Sequence, residues 1–312
     1  MNNTARGFQS GWKARIRPIA FLALTMVLAS WCIPPVNAAG TTSTIVFMTD
    51  FGVLDDSVPI CKGVMYSIAP DLRIVDLTHQ VTPYSILDGA RFLYGASPYY
   101  PAGTVFVAVV DPGVGSTRKA VVVKSKRGQY FVLPDNGLIT LVADRDGVEA
   151  AREITNRNWM IGSALSSTFH GRDIFSPVGA HLARGEGWTQ VGPELAADKL
   201  FRLNLAPVKL DERGLHGVVI ATDGPFGNLA TNIDGDEFLK LGYRPGETVH
   251  LSIGSTSLAL PFERTFSDVP LNRPLLYIDS RGRVGLAVNQ GSFAATYRIE
   301  PPASIDILTR QR

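Results

Sequence analysis

Residues 104–118 read TVFVAVVDPGVGSTR, an apolar run that ends in Asp111 and is followed, at the seventh position after it, by Arg118. A continuous β-branched and aromatic run predicts a strand that is buried on both faces of a parallel sheet. The Pro-Gly-Val-Gly turn can fold Arg118 back toward the carboxylate. Because ligands of open α/β sheets bind beyond the carboxyl ends of strands, this stretch predicts a functional site at the sheet rim. A surface turn with an ordinary Asp–Arg pair explains the same residues equally well.

The N-terminal half repeats this alternation of strands and helices. Apolar strands that end in aspartate are predicted at 45–50, 73–76 and 104–111. Helices are predicted at 57–68, 85–94, 138–144 and 174–183, with Gly185 placed to end the last of them. This order predicts an α/β N-terminal domain with a mostly parallel sheet over residues 39–205.

From about Asp211 the pattern changes to short strands separated by turns. They are predicted at 217–221, 248–253, 257–261, 275–278 and 284–288. Short strands at such spacing are typical of all-β units. We therefore expect a smaller all-β C-terminal domain over residues 206–312.

The first 38 residues have the layout of a secretory signal peptide. Four basic residues without a counter-charge precede the apolar run 19–33, and prolines and Val36-Asn37-Ala38 follow it. The run is shorter than the roughly 20 residues that a spanning helix needs. We therefore expect cleavage after Ala38 and export to the periplasm. An uncleaved N-terminal anchor is the alternative, and a chain without a signal would stay in the cytoplasm.

The composition of the remaining chain narrows the possible partners. Residues 39–312 carry 26 basic and 28 acidic side chains, a formal charge of −2, which argues against nucleic acid as a partner. Only Cys61 remains there, so no disulfide can form within this part. The histidines lack the close helical spacing of a typical metal site, and we expect neither a metal nor a cofactor. No membrane contact is expected after signal cleavage.

Five polar strings call for an explanation. They are TDFG (49–52) with Asp55-Asp56, DLTH (76–79), PDNG (134–137), TFHGRD (168–173) and DGPFGN (223–228). Each by itself has a structural explanation, since PDNG and DGP are good turn sequences and Asp173 can cap the helix that follows. His170 alone is more often a hydrogen-bonded structural residue than a catalyst.

Together and in this order, the strings resemble the S-adenosylmethionine hydroxide adenosyltransferases. These adenosine-forming S-adenosylmethionine hydrolases are related to fluorinating and chlorinating adenosyl enzymes. The specific signals are DPGVG with its downstream arginine, FHGRD, and FGNL followed by Thr-Asn, within a resemblance over about residues 44–300. The resemblance implies Asp111, Arg118 and His170 as the hydrolytic residues. An aromatic residue replaces the aspartate in the fluorinating relatives, so water rather than halide is the implied nucleophile.

The resemblance also implies the contacts with the nucleoside. Asp50 would accept hydrogen bonds from the ribose hydroxyls, and Tyr84 would pack against the sugar. Phe226 would stack on the adenine, and Asn228 would match its hydrogen-bonding edge.

The methionine end of the substrate is assigned in the same way. Asp55 and Asp223 would meet its ammonium group. Ser57, Ser280 and Arg281 are candidates for its polar end, where an arginine can bind the carboxylate through two parallel hydrogen bonds.

The family resemblance implies an assembly and a mechanism. The family has an N-terminal α/β domain and a C-terminal β domain, and it forms trimers with the substrate between the N-terminal domain of one subunit and the C-terminal domain of the next. Water held by Asp111 and His170 would attack the ribose 5′ carbon in line with the departing sulfur. Arg118 would keep Asp111 ionised.

Two other functions fit parts of the sequence. A halide-using adenosyl transferase, which would form 5′-halo-5′-deoxyadenosine, fits because residues 49–57 and 61–67 resemble the halogenating branch closely. A non-catalytic exported protein that binds adenosyl ligands fits the signal peptide, since S-adenosylmethionine is made in the cytoplasm and an exported hydrolase has no obvious supply of it.

Overall fold

The computed structural model describes residues 43–310, and the signal peptide predicted over 1–38 lies outside them. The described residues form two β-sheets, one in each half of the chain, together with helices. No helix within this range is long and apolar enough to cross a membrane.

The first sheet has seven strands. They are β1 (Thr44–Thr49), β2 (Arg73–Thr78), β3 (Val105–Val109), β4 (Ala120–Ser125), β5 (Tyr130–Pro134), β6 (Val148–Glu153) and β7 (Glu194–Leu195). Their order across the sheet is β2-β1-β3-β5-β4-β6-β7. Strand β5 therefore lies between β3 and β4, although it follows both in the chain.

Half of the strand pairings in this sheet are antiparallel, which corrects the expected mostly parallel sheet to a mixed one. Strands β2, β1, β3 and β5 pair in parallel, whereas β5–β4, β4–β6 and β6–β7 pair antiparallel. The reason is the short connection 126–129 between β4 and β5. A parallel pair needs a crossover of about a dozen residues or more, so a connection of this length permits only a hairpin.

Four helices pack on the first sheet. They are α1 (Ser57–Ile68), α2 (Ile86–Ala96), α3 (Thr140–Asp146) and α4 (Ser176–Ala183). Each begins and ends within two residues of its predicted segment, and α1 has the predicted bounds. Gly185, with φ of +93°, follows the end of α4 as expected.

Strand β3 is buried on both faces, as its apolar run predicts. Val105, Val107 and Val109 belong to the core that includes α1 and α4. Phe106 and Ala108 belong to the core that includes α2 and α3. A shift of one residue would exchange these two sets, so burial on both faces fixes the register of β3 and the position of the residues that follow it.

The second sheet has eight strands, and its strand pairings are antiparallel. They are β8 (Lys209–Leu210), β9 (Gly214–Asp223), β10 (Asn228–Asp234), β11 (Thr248–Ile253), β12 (Thr256–Pro261), β13 (Pro274–Ile278), β14 (Arg283–Val288) and β15 (Ala303–Leu308). Two short helices, α5 (Gly235–Leu239) and α6 (Phe293–Tyr297), accompany them, so this half is not purely β.

The second sheet nearly closes on itself. Its order is β12-β11-β15-β9-β10-β14-β13, with β8 beside β9. Phe262, directly after β12, bridges to Leu276 of β13, and these are the two ends of that order. Closure of this kind leaves few unpaired edges and surrounds a single apolar interior.

The contact between α4 and β3 gives a test of the packing that positions β3. A Cβ at Gly179 of α4 would lie well inside van der Waals contact of Cγ2 of Val107. We expect Gly179→Ala to lower the free energy of unfolding by about 1–3 kcal/mol, as overpacked cores do, in urea denaturation. Gly63→Ala in α1 is the matched control, because a Cβ there meets nothing within 4 Å. It should raise stability by up to about 1 kcal/mol. Equal stability of the two variants would contradict the close packing.

Candidate active site

Asp111 and Arg118 form an ion pair directly beyond the end of β3. Nη2 of Arg118 donates to Oδ1 of Asp111, and the two side chains are 21% and 8% exposed. The Val114 amide donates to the Asp111 carbonyl at 3.1 Å and closes the turn between them. A Cβ at Gly113 would lie 2.5 Å from Nη2 of Arg118, so the guanidinium lies directly over this glycine and any side chain there would displace it.

A second glycine brings this turn against the segment that carries His170. Gly115 has φ of +79°, and a Cβ there would overlap the carbonyl oxygen of Ser167. Any side chain at this position would therefore separate the two segments. The close approach places His170, three residues after Ser167, at the same cavity as Asp111.

Asp173 anchors the segment around His170. Its Oδ1 accepts from Nε of Arg172 at 2.6 Å, and its Oδ2 accepts from the Ser166 amide at 2.7 Å. Burial alone would raise the pKa of Asp173, but the hydrogen bonds from Arg172 and Ser166 outweigh burial and lower it. The π-helical turn Gly171–Phe175 joins this anchor to α4. His170 is thus presented from a braced loop.

A cavity of about 390 Å³ lies at the carboxyl ends of β1 and β3. Its lining includes Asp50, Tyr84, Asp111 and His170, so four of the residues predicted for the site meet there. Arg118 reaches the cavity through its ion pair with Asp111. A carboxylate held by a guanidinium, with an imidazole nearby, can orient a small nucleophile and remove its proton.

Asp50 and Tyr84 are joined at the mouth of this cavity. The Tyr84 amide donates to Oδ2 of Asp50 at 3.0 Å. Tyr84 has φ of +67°, a backbone conformation that costs free energy in a residue other than glycine, and its side chain is 75% exposed. The hydrogen bond to Asp50 offsets part of this cost and keeps an exposed aromatic ring at the cavity mouth, where a ligand can cover it.

A buried hydrogen-bond network supports the segment that carries Asp50. Oγ1 of Thr49 lies 2.9 Å from Nδ1 of His79 and accepts from the Phe51 amide at 3.2 Å. Nε2 of His79 lies 3.1 Å from Oδ1 of Asp76. The network fixes the backbone on both sides of Asp50, which gives the DLTH string a role in placing that carboxylate.

The protonation state of His79 follows from its neighbours. Because the Asp76 carboxylate only accepts, Nε2 of His79 carries the proton and Nδ1 accepts from the Thr49 hydroxyl. Burial lowers the pKa of His79 and outweighs the opposing hydrogen bond and charge of Asp76. Burial also acts to raise the pKa of Asp76, but hydrogen bonds from Lys62 and His79 leave it below its ordinary value. His79 is therefore a neutral connector between two polar groups.

A second, larger cavity of about 950 Å³ lies in the C-terminal half. Five of the residues predicted for the substrate line it, namely Asp223, Phe226, Asn228, Ser280 and Arg281. The hairpin of β9 and β10 pairs Asp223 with Asn228. Phe226, at the tip of that hairpin, is 68% exposed, whereas Asn228 is buried.

The other residues that line this cavity include three that no motif in the sequence singled out: Arg264, Phe266 and Tyr277. The rings of Phe266 and Tyr277 meet edge to face with centroids 5.0 Å apart. Burial raises the pKa of Tyr277 to about 12, with a further contribution from the charges of Asp223 and Asp279. Phe266 lies in the connection between β12 and β13, whereas Tyr277 lies in β13 itself. Only the folded chain therefore brings the two rings together.

The two cavities share no lining residue within one chain. Arg91 of α2 links their surroundings: its Nη1 donates to Asp223 at 3.2 Å, and its Nη2 donates to Asp88 at 3.0 Å. Asp55 and Ser57 line neither cavity. They lie at the start of α1, where the Ser57 amide donates to Oδ1 of Asp55 at 2.9 Å. The predicted site residues thus form two groups and one outlying pair.

Family comparisons agree with the two halves of the chain. Residues 45–192 match the family model described as SAM hydroxide adenosyltransferase N-terminal domain. Residues 217–306 match the model described as SAM hydroxide adenosyltransferase C-terminal domain.

Relatives of this chain include hydrolases and halogenating enzymes. An (R)-S-adenosyl-L-methionine hydrolase of Salinispora arenicola is 38% identical over 268 residues, which cover 84% of this chain and 96% of the relative. One of Thermus thermophilus is 37% identical over 261 residues, covering 80% and 92%. A fluorinase of Actinopolyspora mzabensis is 32% identical over 288 residues, covering 84% and 96%.

Solved structures share the fold. An uncharacterized conserved protein from Thermotoga maritima superposes with a TM-score of 0.80 at 39% identity, covering 85% of this chain and 100% of that one. A conserved hypothetical protein from Thermus thermophilus gives 0.68 at 33% identity with the same coverage.

The buried network at His79 predicts a pH dependence of stability. Because the folded chain holds the pKa of His79 below the ordinary 6.5, the unfolded chain binds more protons in the window just below 6.5. This contribution to the free energy of unfolding is complete above pH 6.5 and is lost as the pH falls through the folded pKa. Urea denaturation of wild type and His79→Gln should show a difference that shrinks as the pH is lowered.

His250→Gln serves as the control, since His250 is an exposed histidine on β11. A difference between wild type and His79→Gln that stays constant across the same pH range would rule out the buried neutral histidine.

Proposed function

This chain belongs to the SAM hydroxide adenosyltransferase family, and from that membership we propose that it hydrolyses S-adenosyl-L-methionine (SAM) to adenosine and L-methionine. The observation that carries the proposal is that Asp111 and His170 line one cavity while Arg118 is ion-paired with Asp111. The relatives named (R)-S-adenosyl-L-methionine hydrolase support the same reaction.

The reaction is an in-line displacement at the ribose 5′ carbon. Water attacks that carbon, the new C–O bond forms as the C–S bond breaks, and the electron pair passes to sulfur. Because the sulfonium becomes a neutral thioether, the leaving group needs no general acid. The water is the difficult partner, since its pKa is about 15.7. Asp111 and His170 orient the water and accept its proton. General-base catalysis of this kind raises the reaction rate by roughly 100- to 10,000-fold.

Arg118 keeps Asp111 in the form that the reaction needs. An adjacent cation favours the ionised carboxylate, so Asp111 can accept a hydrogen bond and a proton from water. Burial lowers the pKa of Arg118 itself, and the charge of Asp135 opposes that shift. Because the ordinary pKa of an arginine is far above neutral, the guanidinium stays charged despite this shift and supplies positive charge beside the developing hydroxide.

Halide transfer is the second candidate, because fluorinases are among the relatives at 32–33% identity. The carboxylate of Asp111 lines the cavity in which the nucleophile must bind, and a carboxylate repels an anion there. Chloride or fluoride supplied with SAM is therefore expected to yield no halogenated nucleoside. Formation of one would favour the halide reaction.

The substrate needs both groups of predicted residues, and we place it between two subunits of a trimer. Asp50 and Tyr84 bind the ribose from one subunit, and Phe226 and Asn228 bind the adenine from the next. The methionine end lies toward Asp223, Ser280 and Arg281, with Asp55 and Ser57 as further candidates. Two features favour this arrangement: the cavities are separate within one chain, and Tyr84 and Phe226 are strongly exposed aromatic residues.

Export of the enzyme after cleavage at Ala38 also belongs to the proposal. It rests on the basic and apolar pattern of residues 1–38. The mass of the protein secreted by its source cell, compared with that of residues 39–312, tests it directly.

Loss of the catalytic carboxylate or imidazole should abolish most turnover. We expect Asp111→Asn and His170→Gln each to lower kcat by about 100- to 10,000-fold, measured as adenosine release by liquid chromatography. Asp144→Asn is the matched control, since it breaks an exposed ion pair with Arg202 and should leave kcat unchanged. In oxygen-18 water the label should enter adenosine. Near-normal turnover of both variants, or label in methionine, would overturn the mechanism.

A shared site predicts complementation between inactive subunits. Asp111→Asn damages one half of the site, and a Phe226→Ala/Asn228→Ala double variant damages the other. Co-expressed in equal amounts, the two chains should regain about one quarter of the wild-type activity, because about one site in four receives both intact halves. Each chain alone stays near zero. Absence of any regained activity in mixed oligomers would mean that each site lies within one chain.

A further inference from the structure

We propose that Asp135 and Asn136, at the end of β5, are positioning residues for the catalytic pair Asp111 and Arg118. Asn136 fixes the start of the connecting loop, and Asp135 fixes its end, one residue after Arg118, and carries a carboxylate there. The inference rests on the proposed function, because it concerns how that site is held in its active geometry.

The strand order makes this arrangement necessary. Strand β5 lies between β3 and β4, it is parallel to β3, and it is antiparallel to β4. The chain leaves the carboxyl end of β3 and must enter β4 beside the carboxyl end of β5. The loop 110–119 therefore passes over the end of β5, where Asp135 and Asn136 stand.

Asn136 holds the start of this loop. Its side chain is buried, and its Nδ2 donates to the Val110 carbonyl at 2.8 Å. That carbonyl belongs to the peptide group that joins Val110 to Asp111. The hydrogen bond therefore fixes the orientation of this peptide plane and, with it, the direction of the Asp111 side chain. Oδ1 of Asn136 accepts from the Leu138 amide at 3.2 Å, which fixes the orientation of its own amide group.

Asp135 holds the end of the loop. Its amide donates to the Lys119 carbonyl at 2.9 Å, directly after Arg118. Its Oδ1 accepts from the Phe201 amide at 2.8 Å, which ties the side chain to a third segment. Two adjacent residues thus hold both ends of the loop that carries the catalytic pair.

The charge of Asp135 gives this support an electrostatic effect. Burial raises the pKa of Asp135, and the Phe201 amide and the charges of Lys119 and Arg118 oppose the rise, while Glu153 adds to it. Arg118 is ion-paired with Asp111, and the charge of Asp135, which is hydrogen-bonded to the loop one residue after Arg118, also acts on the guanidinium. With the second carboxylate removed, Arg118 would act on Asp111 alone and stabilise its ionised form more strongly. Asp50 and His170 line the same cavity and are unchanged by this substitution.

Asn136→Leu tests the positioning role. We expect kcat to fall by about 10- to 100-fold, because small displacements of a reacting group have effects of this size. KM for SAM should change by less than about twofold, since the residues assigned to the substrate do not lie on this loop. Gln129→Leu is the matched control at the opposite end of β5. Its buried amide donates to the Ser97 carbonyl at 2.8 Å, and its loss should leave kcat unchanged.

Asp135→Asn tests the electrostatic role, because asparagine keeps the amide donor and the acceptor oxygen but removes the charge. The acid limb of the kcat–pH profile should move to lower pH, and kcat on the plateau should fall several-fold, because a base of lower pKa removes a proton less readily. A purely structural residue would lower activity without moving that limb.

The possible results distinguish failure of the proposed function from failure of the positioning role of Asp135 and Asn136. If wild type releases no adenosine from SAM, the proposed function fails. If wild type is active, the inference is overturned when Asn136→Leu leaves kcat unchanged or lowers it no more than Gln129→Leu. It is likewise overturned when the acid limb of Asp135→Asn coincides with that of wild type.

Discussion

The ion pair between Asp111 and Arg118 depends on the burial of β3, and much of the first sheet is arranged around that strand. Taking a carboxylate and a guanidinium largely out of water costs several kcal/mol per ion, and only close pairing offsets that cost. Because β3 is buried on both faces, its register cannot slip, and Asp111 emerges at one defined point. Gly113 then allows the guanidinium to lie across the turn, where it meets the carboxylate.

The edge of the first sheet at the carboxyl ends of β1 and β3 brings together groups from segments that are distant in the chain. Gly115 brings the turn against Ser167, and Asp173 braces the loop that presents His170. On the other side, the network through Thr49 and His79 fixes the backbone around Asp50. The segments that carry His170 and Asp50 are therefore both held by hydrogen bonds from neighbouring side chains. Supporting contacts of this kind usually decide whether reacting groups stay within productive distance.

The groups suited to activating water lie in one half of the chain, whereas groups suited to binding a nucleoside lie in both. The rim of the first sheet holds the charged groups suited to activating water, whereas the second sheet offers a wide cavity with exposed Phe226 and buried Asn228. Arg91 of α2 joins the two halves, because it donates to Asp88 of its own helix and to Asp223 of the second cavity. A substrate with a reactive sulfonium and a large nucleoside fits such a division, because its reacting carbon and its binding surface are distinct.

Local pattern was enough to predict the four helices α1 to α4, the buried strand β3 and the grouping of Asp111 with Arg118, because hydrophobic period and turn residues act over a few positions. The family of the chain also followed from its motifs. Three results needed the folded chain: the antiparallel half of the first sheet, the aromatic contact of Phe266 with Tyr277, and the hydrogen bond from Asn136 to the Val110 carbonyl. Each depends on which strands become neighbours, and strand order is set by packing between segments far apart in sequence, which no local pattern contains.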